Sequence, residues 1–236
     1  MIRKAPRPLR FVLFDLDGTL IDSTELILES YAHTYRAHGR VMSQEQITAE
    51  LGLPLHDTLG RYFHGDELRA AATTYLDFNL ARHDEGVRRM AGVVELVRRL
   101  RSAGLRLGVV TSKMRETARR GLALCRLDGM FEVVVAKEDT RRHKPDCEPL
   151  LYALAALEAD AAETAYVGDC ALDVEAADGA GIRSIAALWR PTSEATFSGQ
   201  EPDAFAQSPE EAADILEAWR NGLEWGRKDE GRAEGA

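Results

Sequence analysis

Positive charge is scarce in this chain: 30 Lys and Arg stand against 39 Asp and Glu, a formal net charge of −9. That balance argues against general nucleic-acid binding, which needs a basic face. It does not exclude an anionic small molecule, because a phosphate site needs only a local cluster of positive charge and backbone amides. Cysteine is scarcer still. Cys125, Cys147 and Cys170 form no C-x-x-C pair, which excludes a disulfide framework and fits a reducing compartment. No apolar run approaches the ~20 residues of a membrane-spanning helix. The basic, proline-containing start Met1–Arg10 is not followed by an apolar run with a small-residue cleavage site, so no secretory signal is expected. The expected location is cytoplasmic, with no membrane and no nucleic-acid partner. His33, His38, His56, His64, His83 and His143 make no H-x-x-x-H pattern, so a transition-metal site is not expected. What remains is an ordinary globular composition, 45% hydrophobic and 29% charged over 236 residues. It is enough for one large domain or a core with a smaller insert.

Hydrophobic periodicity divides the chain. Phe11–Phe14 reads as a short buried strand running into Asp15-Leu-Asp-Gly-Thr19. From Asp22 to Arg89 the pattern is helical throughout, with Leu26, Ile27, Ser30, Tyr31 and Tyr35 at helical spacing and no strand. Tyr31, Tyr35, Tyr62 and Phe63 read as the core of this stretch. From Met90 onward helices and strands alternate. Helices are expected at Val93–Leu100, Arg115–Leu124, Pro149–Leu157, Val174–Ala180 and Pro209–Trp219. Strands are expected at Leu105–Val110, Phe131–Val135, Ala165–Val167, Ile182–Leu188 and Ala204–Phe205. This predicts an α/β fold, an open parallel sheet covered on both faces, with an all-helical insert after the first strand. The expected boundaries are 1–20 and 90–225 for the core and 21–89 for the insert. Residues 226–236, charged and glycine-rich, read as a frayed tail.

In such sheets ligands sit outside the carboxyl ends of the strands, and four polar clusters fall there. Asp15 and Asp17, two residues apart, point the same way from an extended segment. Gly18 permits the turn and the Thr19 hydroxyl is expected to hold it. Two close carboxylates repel unless a cation joins them or one keeps a proton, though Asp-Gly pairs also make plain surface turns. Thr111, Ser112 and Lys113 follow a strand where backbone amides and hydroxyls bind anions, or where Thr111 or Ser112 simply caps a helix. Lys144 precedes Pro145 and Asp146, a helix start that fixes where it points. It is one of only five lysines against 25 arginines. Asp169 and Asp173 bracket a helix N-terminus and suit a hard cation such as magnesium, though Asp169 alone also makes an ordinary N-cap.

Taken in order, D-x-D-G-T, a strand ending in Thr, Lys-Pro and G-D-x-x-x-D resemble the four-motif pattern of the haloacid dehalogenase superfamily. The resemblance runs from Phe11 to about Asp214, and the helical insert sits where that family places its C1-type cap. It implies a Rossmann-like core and a magnesium-dependent phosphatase. In that scheme Asp15 is the nucleophile and Asp17 the general acid and base. Thr111 and Lys144 bind the phosphoryl group. Asp15, the Asp17 carbonyl and Asp169 hold magnesium, and Asp173 supports the metal's water or Lys144. Gly18, Thr19 and Ser112, with Leu53 and His56 from the insert, are the implied substrate contacts. An acid at position 17 favours phosphate chemistry over dehalogenation. Leu20–Ser23 and Leu51–Thr58 resemble both phosphoglycolate phosphatase and the family's inorganic pyrophosphatase, and Leu76–Glu85 is closer to the pyrophosphatase. Cys147 replaces a proline common to both. The implied substrate is pyrophosphate or a small phosphorylated metabolite, taken by a monomer or homodimer. A hexose-phosphate mutase, or a phosphate-binding protein without catalysis, shares parts of the same pattern.

Overall fold

The first strand shows how the sheet is buried. In β1 (Phe11–Phe14), Val12 and Phe14 join one apolar cluster while Phe11 and Leu13 join another. Alternation with a period of two sends them to opposite faces, so both faces are covered. A computed structural model describes residues 7–48, 51, 53–190, 194–197 and 199–225. The expected tail at 226–236 and the first six residues of the basic start lie outside them.

After β1 come β2 (Ile21–Asp22), α1 (Thr24–Ala37), α2 (Gln44–Thr48), α3 (Leu55–Gly60), α4 (Gly65–Gly86) and β3 (Arg88–Arg89). Then follow α5 (Val93–Ser102), β4 (Arg106–Val110), α6 (Arg115–Leu124), β5 (Val133–Val135), α7 (Glu148–Leu157) and β6 (Thr164–Gly168). The last elements are α8 (Ala171–Ala180), β7 (Arg183–Ala187), β8 (Ala204–Ala206) and α9 (Pro209–Arg220). The main sheet has the order β5-β4-β1-β6-β7-β8 with every pairing parallel. The chain builds outward from β1 to one side and then to the other, so the switch point flanks β1. Helices α5, α6 and α9 contribute to the cluster on one face, and α7 and α8 to that on the other.

The alternation of elements follows the sequence reading closely, and α6 begins and ends where the periodicity places it. Two differences have local causes. Helix α8 starts at Ala171, three residues earlier than read, because the Asp173 carboxylate accepts the Cys170 backbone N–H and caps the first turn. The stretch 22–89 was expected to hold no strand, but β2 and β3 pair antiparallel, Ile21 with Arg89 and Asp22 with Arg88. Two residues are too few to show alternation, so this ribbon tying the two ends of the insert leaves no periodic trace. Between its strands, α1–α4 carry an apolar cluster that includes Tyr31, Tyr35, Leu59, Phe63 and Tyr75. The face of α4 nearer the sheet meets α6 through Asp84 and Arg120, whose side chains hydrogen bond at 2.8 Å. Among the described residues no helix is long and apolar enough to cross a membrane.

Candidate active site

The carboxyl end of β1 delivers Asp15, whose backbone N–H donates to Val167 O at 2.9 Å, in register with β6. The chain then turns on its own backbone. Leu16 O accepts from both Leu20 N and Ile21 N, and Gly18 N donates to Ile21 O. The Thr19 hydroxyl, expected to hold this turn, has no partner among the described residues and is fully buried. The backbone bonds already close the loop, so the side chain is not needed for it. Gly18 is required twice over. Its φ is +87°, and a Cβ there would stand 2.2 Å from Asp169 Oδ2. Gly168 similarly leaves room for Asp173, whose Cβ would lie 2.4 Å from an added methyl.

Lys144 binds three segments together. Its ammonium donates to Asp15 Oδ1 at 2.7 Å, to Asp173 Oδ1 at 2.6 Å and to Tyr166 OH at 3.1 Å. The three N–H bonds of an ammonium are thereby all used. Asp15, Lys144 and Asp173 are 6%, 7% and 1% exposed. Burial works against the Lys144 charge, but Asp15 and then Asp173 outweigh it and hold the ammonium well above its usual range. Burial also pushes Asp15 up, Lys144 pulls it back, and the charges of Asp173 and Asp169 push it up again. Tyr166 passes the network onward by donating to Val110 O.

Asp17 meets different surroundings. Its Oδ1 accepts from Ser23 Oγ at 2.5 Å and from Lys113 Nζ at 2.9 Å. Burial opposes its charge, but Lys113 and the Ser23 hydrogen bond win, and the carboxyl is held below its usual value. On the other flank Asp169 pairs with Arg190 at 3.3 Å, and Arg190 also donates to Thr24 Oγ1 at 2.8 Å. Burial nevertheless pushes Asp169 up, with Arg190 opposing and Asp173 adding to the rise.

Asp15, Asp17, Asp169 and Asp173 therefore stand against Lys113, Lys144 and Arg190. Fully ionised, four carboxylates and three cations leave the site one negative charge in excess. A phosphate would be repelled by that excess, and a divalent cation reverses it. Asp169, Cys170 and Asp173 offer ligand atoms within 4.8 Å of one another. Asp173 is already committed to Lys144 and the Cys170 N–H. The oxygens left for a cation are those of Asp15 and Asp169, hard donors that suit magnesium better than a thiol-seeking metal. The residues present fit the ion the sequence implied.

Of the other expected residues, Thr111 is buried after β4, and its hydroxyl accepts from Lys113 N at 3.1 Å. Neither it nor the exposed Ser112 caps α6, whose N-cap is Met114. Asp169 is not the cap of α8 either, since Cys170 holds that place. Leu53 is half-buried just ahead of α3, and His56 is exposed on it. Among the described residues no hydrogen bond joins either of them to the acid cluster. Sequence reasoning placed Lys113 in an anion-binding cluster without giving its side chain a role, and missed Ser23, Tyr166 and Arg190. The scarcity argument that singled out Lys144 applied equally to Lys113. Tyr166 lay hidden in what read as an apolar strand.

Known proteins match this arrangement along most of the chain. A family model described as haloacid dehalogenase-like hydrolase matches residues 12–187. Pyrophosphatase PpaX of Bacillus mycoides is 38% identical over 193 residues, covering 81% of this chain and 89% of that protein. PpaX of Bacillus cereus is 36% identical over 206 residues, covering 87% and 95%. A haloacid dehalogenase-like family hydrolase from Streptococcus pneumoniae has a solved structure with a TM-score of 0.80 at 22% identity, covering 89% of this chain and 99% of that one. At that identity the likeness speaks to fold alone. The sequence matches carry the assignment further: the chain is an enzyme of the haloacid dehalogenase-like hydrolase family.

Proposed function

We propose that this enzyme is a magnesium-dependent phosphohydrolase that works through an aspartyl-phosphate on Asp15, with pyrophosphate or a small phosphorylated metabolite as substrate. The observation that carries the reading is the buried Lys144 ammonium shared by Asp15 and Asp173 at the carboxyl end of β1. It fixes one Asp15 oxygen, and among the described residues no hydrogen bond is recorded to the other, Oδ2, which is left to attack phosphorus. Asp15, Asp169 and the Asp17 carbonyl would hold a magnesium ion, whose chemistry is to neutralise charge between the phosphoryl oxygens and the attacking carboxylate.

Asp15 attacks in line, and Asp17 gives a proton to the leaving oxygen. Asp17 then takes a proton from the water that hydrolyses the aspartyl-phosphate. Its pairing with Lys113 and Ser23 favours the carboxylate, the form the second half requires. The proton for the first half arrives with the substrate, since phosphate groups titrate near neutral pH. Lys144, and Thr111 at the end of β4, stabilise charge on the phosphoryl oxygens. Gly18 and Ser112 flank the approach to that group, while Thr19, expected to contact it as well, is fully buried behind the turn.

Residues 21–89 act in this reading as a cap on a core formed by 1–20 and 90–225, hinged at the β2–β3 ribbon, with Leu53 and His56 reaching the substrate when it closes. The PpaX relatives favour pyrophosphate over phosphoglycolate. The setting is cytoplasmic, with no nucleic-acid or membrane partner, and the enzyme works as a monomer or homodimer. A panel of pyrophosphate, phosphoglycolate and sugar phosphates compared by kcat/KM with magnesium tests the substrate. A demand for a bisphosphate activator would instead mark a mutase, and absence of turnover on every member would refute the hydrolase reading.

A further inference from the structure

Lys113 is a largely enclosed cation whose task in the reaction scheme above, supporting the Asp17 carboxylate, engages only part of its ammonium. Only 9% of its side chain is exposed, yet one partner is recorded for its ammonium among the described residues, Asp17 Oδ1. Two of its three N–H bonds are therefore unspent. The other cations of the site differ. Lys144 has spent all three donors, and Arg190 is divided between Asp169 and Thr24. Asp17 does not depend on Lys113 alone, because Ser23 donates to the same oxygen. The loop under Lys113 is anchored at both backbone groups. Its N–H donates to Thr111 Oγ1 at 3.1 Å and its carbonyl accepts from Lys137 N at 3.0 Å. The side chain can turn while its base stays fixed.

Position gives the missing partner. Asp17 is the group that protonates the leaving oxygen in the proposed reaction, so a cation resting on Asp17 lies on the leaving-group side. An alcohol departing from a monoester offers the ammonium a single oxygen that ends neutral. A departing phosphate offers several anionic oxygens and matches a compact, strongly hydrated charge. We propose that Lys113 binds the leaving phosphate and so selects phosphoanhydrides, inorganic pyrophosphate being the simplest, over phosphomonoesters. This rests on the phosphoryl-transfer reading of the site. In the step concerned, the bond from phosphorus to Asp15 forms as the bond to the bridging oxygen breaks. The electron pair stays on the departing phosphate, whose charge Lys113 meets and which takes its proton from Asp17.

The test compares Lys113→Met, Lys113→Arg and Ser23→Ala in the full-length enzyme with magnesium, each checked for fold by circular dichroism. The substrates are pyrophosphate, ethyl phosphate, whose leaving group needs a proton but carries no charge, and p-nitrophenyl phosphate, whose leaving group departs unaided. Lys113→Met is expected to lose on the order of 10²-fold in kcat/KM on pyrophosphate and only about tenfold, the share that comes from supporting Asp17, on both monoesters. Lys113→Arg should restore much of the pyrophosphate rate. Ser23→Ala should slow pyrophosphate and ethyl phosphate alike. An equal loss on pyrophosphate and ethyl phosphate in Lys113→Met would reduce Lys113 to a positioning group for Asp17 and overturn the proposal. So would an undiminished rate on pyrophosphate. Turnover surviving in Asp15→Asn is a separate result, and it would sink the underlying reading of the site instead.

Discussion

Asp15 and Asp17 leave the same short loop, two residues apart, and meet opposite surroundings. Asp15 enters a closed network in which burial and two neighbouring carboxylates push its proton affinity up against the pull of Lys144. Asp17 lies at the border with the helical insert, where Lys113 and Ser23 hold it down. The difference teaches that spacing alone does not assign roles to paired carboxylates. Their partners do, and the charged ones come from segments far away in sequence: Lys144 lies 129 residues from Asp15 and Lys113 lies 96 from Asp17. A carboxylate whose charge is poorly supported stands ready for a cation and an electrophile. One already supported stays ionised, which in the proposed reaction is the form that meets the attacking water.

The comparison can be broken most forcefully on the Asp15 side. Asp15→Asn is expected to cut kcat by on the order of 10⁴-fold or more, as loss of a nucleophile does. Its melting temperature in metal-free buffer should not fall, because the amide removes a charge that burial disfavours. Next comes Lys144→Met, which leaves Asp15 and Asp173 facing each other without their counter-ion. We expect a loss of about 10²–10³-fold in kcat/KM. Magnesium should raise the variant's melting temperature by more than it raises that of the native protein. On the Asp17 side, Ser23→Ala leaves Lys113 in place and should cost roughly tenfold in kcat, since about 1.4 kcal/mol of a charge-assisted hydrogen bond is at stake.

The sequence made the sheet legible and the site only half so. Strands and helices of the core announced themselves because β1 is a continuous apolar run, β4, β6 and β7 turn apolar after their first one or two residues, and α5, α6 and α9 have one apolar stripe each. Asp15 and Asp169 were legible because each directly follows a strand, and Lys144 and Asp173 because each stands near a helix start; the structure joins Asp15 and Asp173 through one ammonium and sets Asp169 beside Arg190. The β2–β3 ribbon was not legible, being too short for any period. Ser23 and Arg190 were invisible for another reason. A serine at a helix start and an arginine after a strand are commonplace, and only the fold reveals that they face Asp17 and Asp169. Thr19 shows the reverse error, a hydroxyl credited with a turn that the backbone closes by itself.

The smallest expected effect sharpens the comparison at its border. His83, on α4 against Gly121 of α6, is fully buried, and its Nε2 has no partner among the described residues. Burial depresses its pKa below the usual 6.5, with the Asp84 hydrogen bond opposing. The folded protein therefore binds this proton less readily than the unfolded chain, and stability is lost as pH falls through 6.5 toward the folded value. Melting temperatures measured from about pH 7.5 to 5.5 should decline less steeply in His83→Gln than in the native protein. Parallel slopes would place His83 in an ordinary solvated setting.

The central claim is that Asp15 receives the phosphoryl group. Asp17→Asn, mixed with magnesium and p-nitrophenyl phosphate, should pass the first step, whose leaving group needs no proton, and stall before hydrolysis for want of a base. Acid quenching followed by peptide mass spectrometry is expected to find one phosphoryl group on Asp15. Stoichiometric release of nitrophenolate with an unmodified Asp15 peptide would contradict the account.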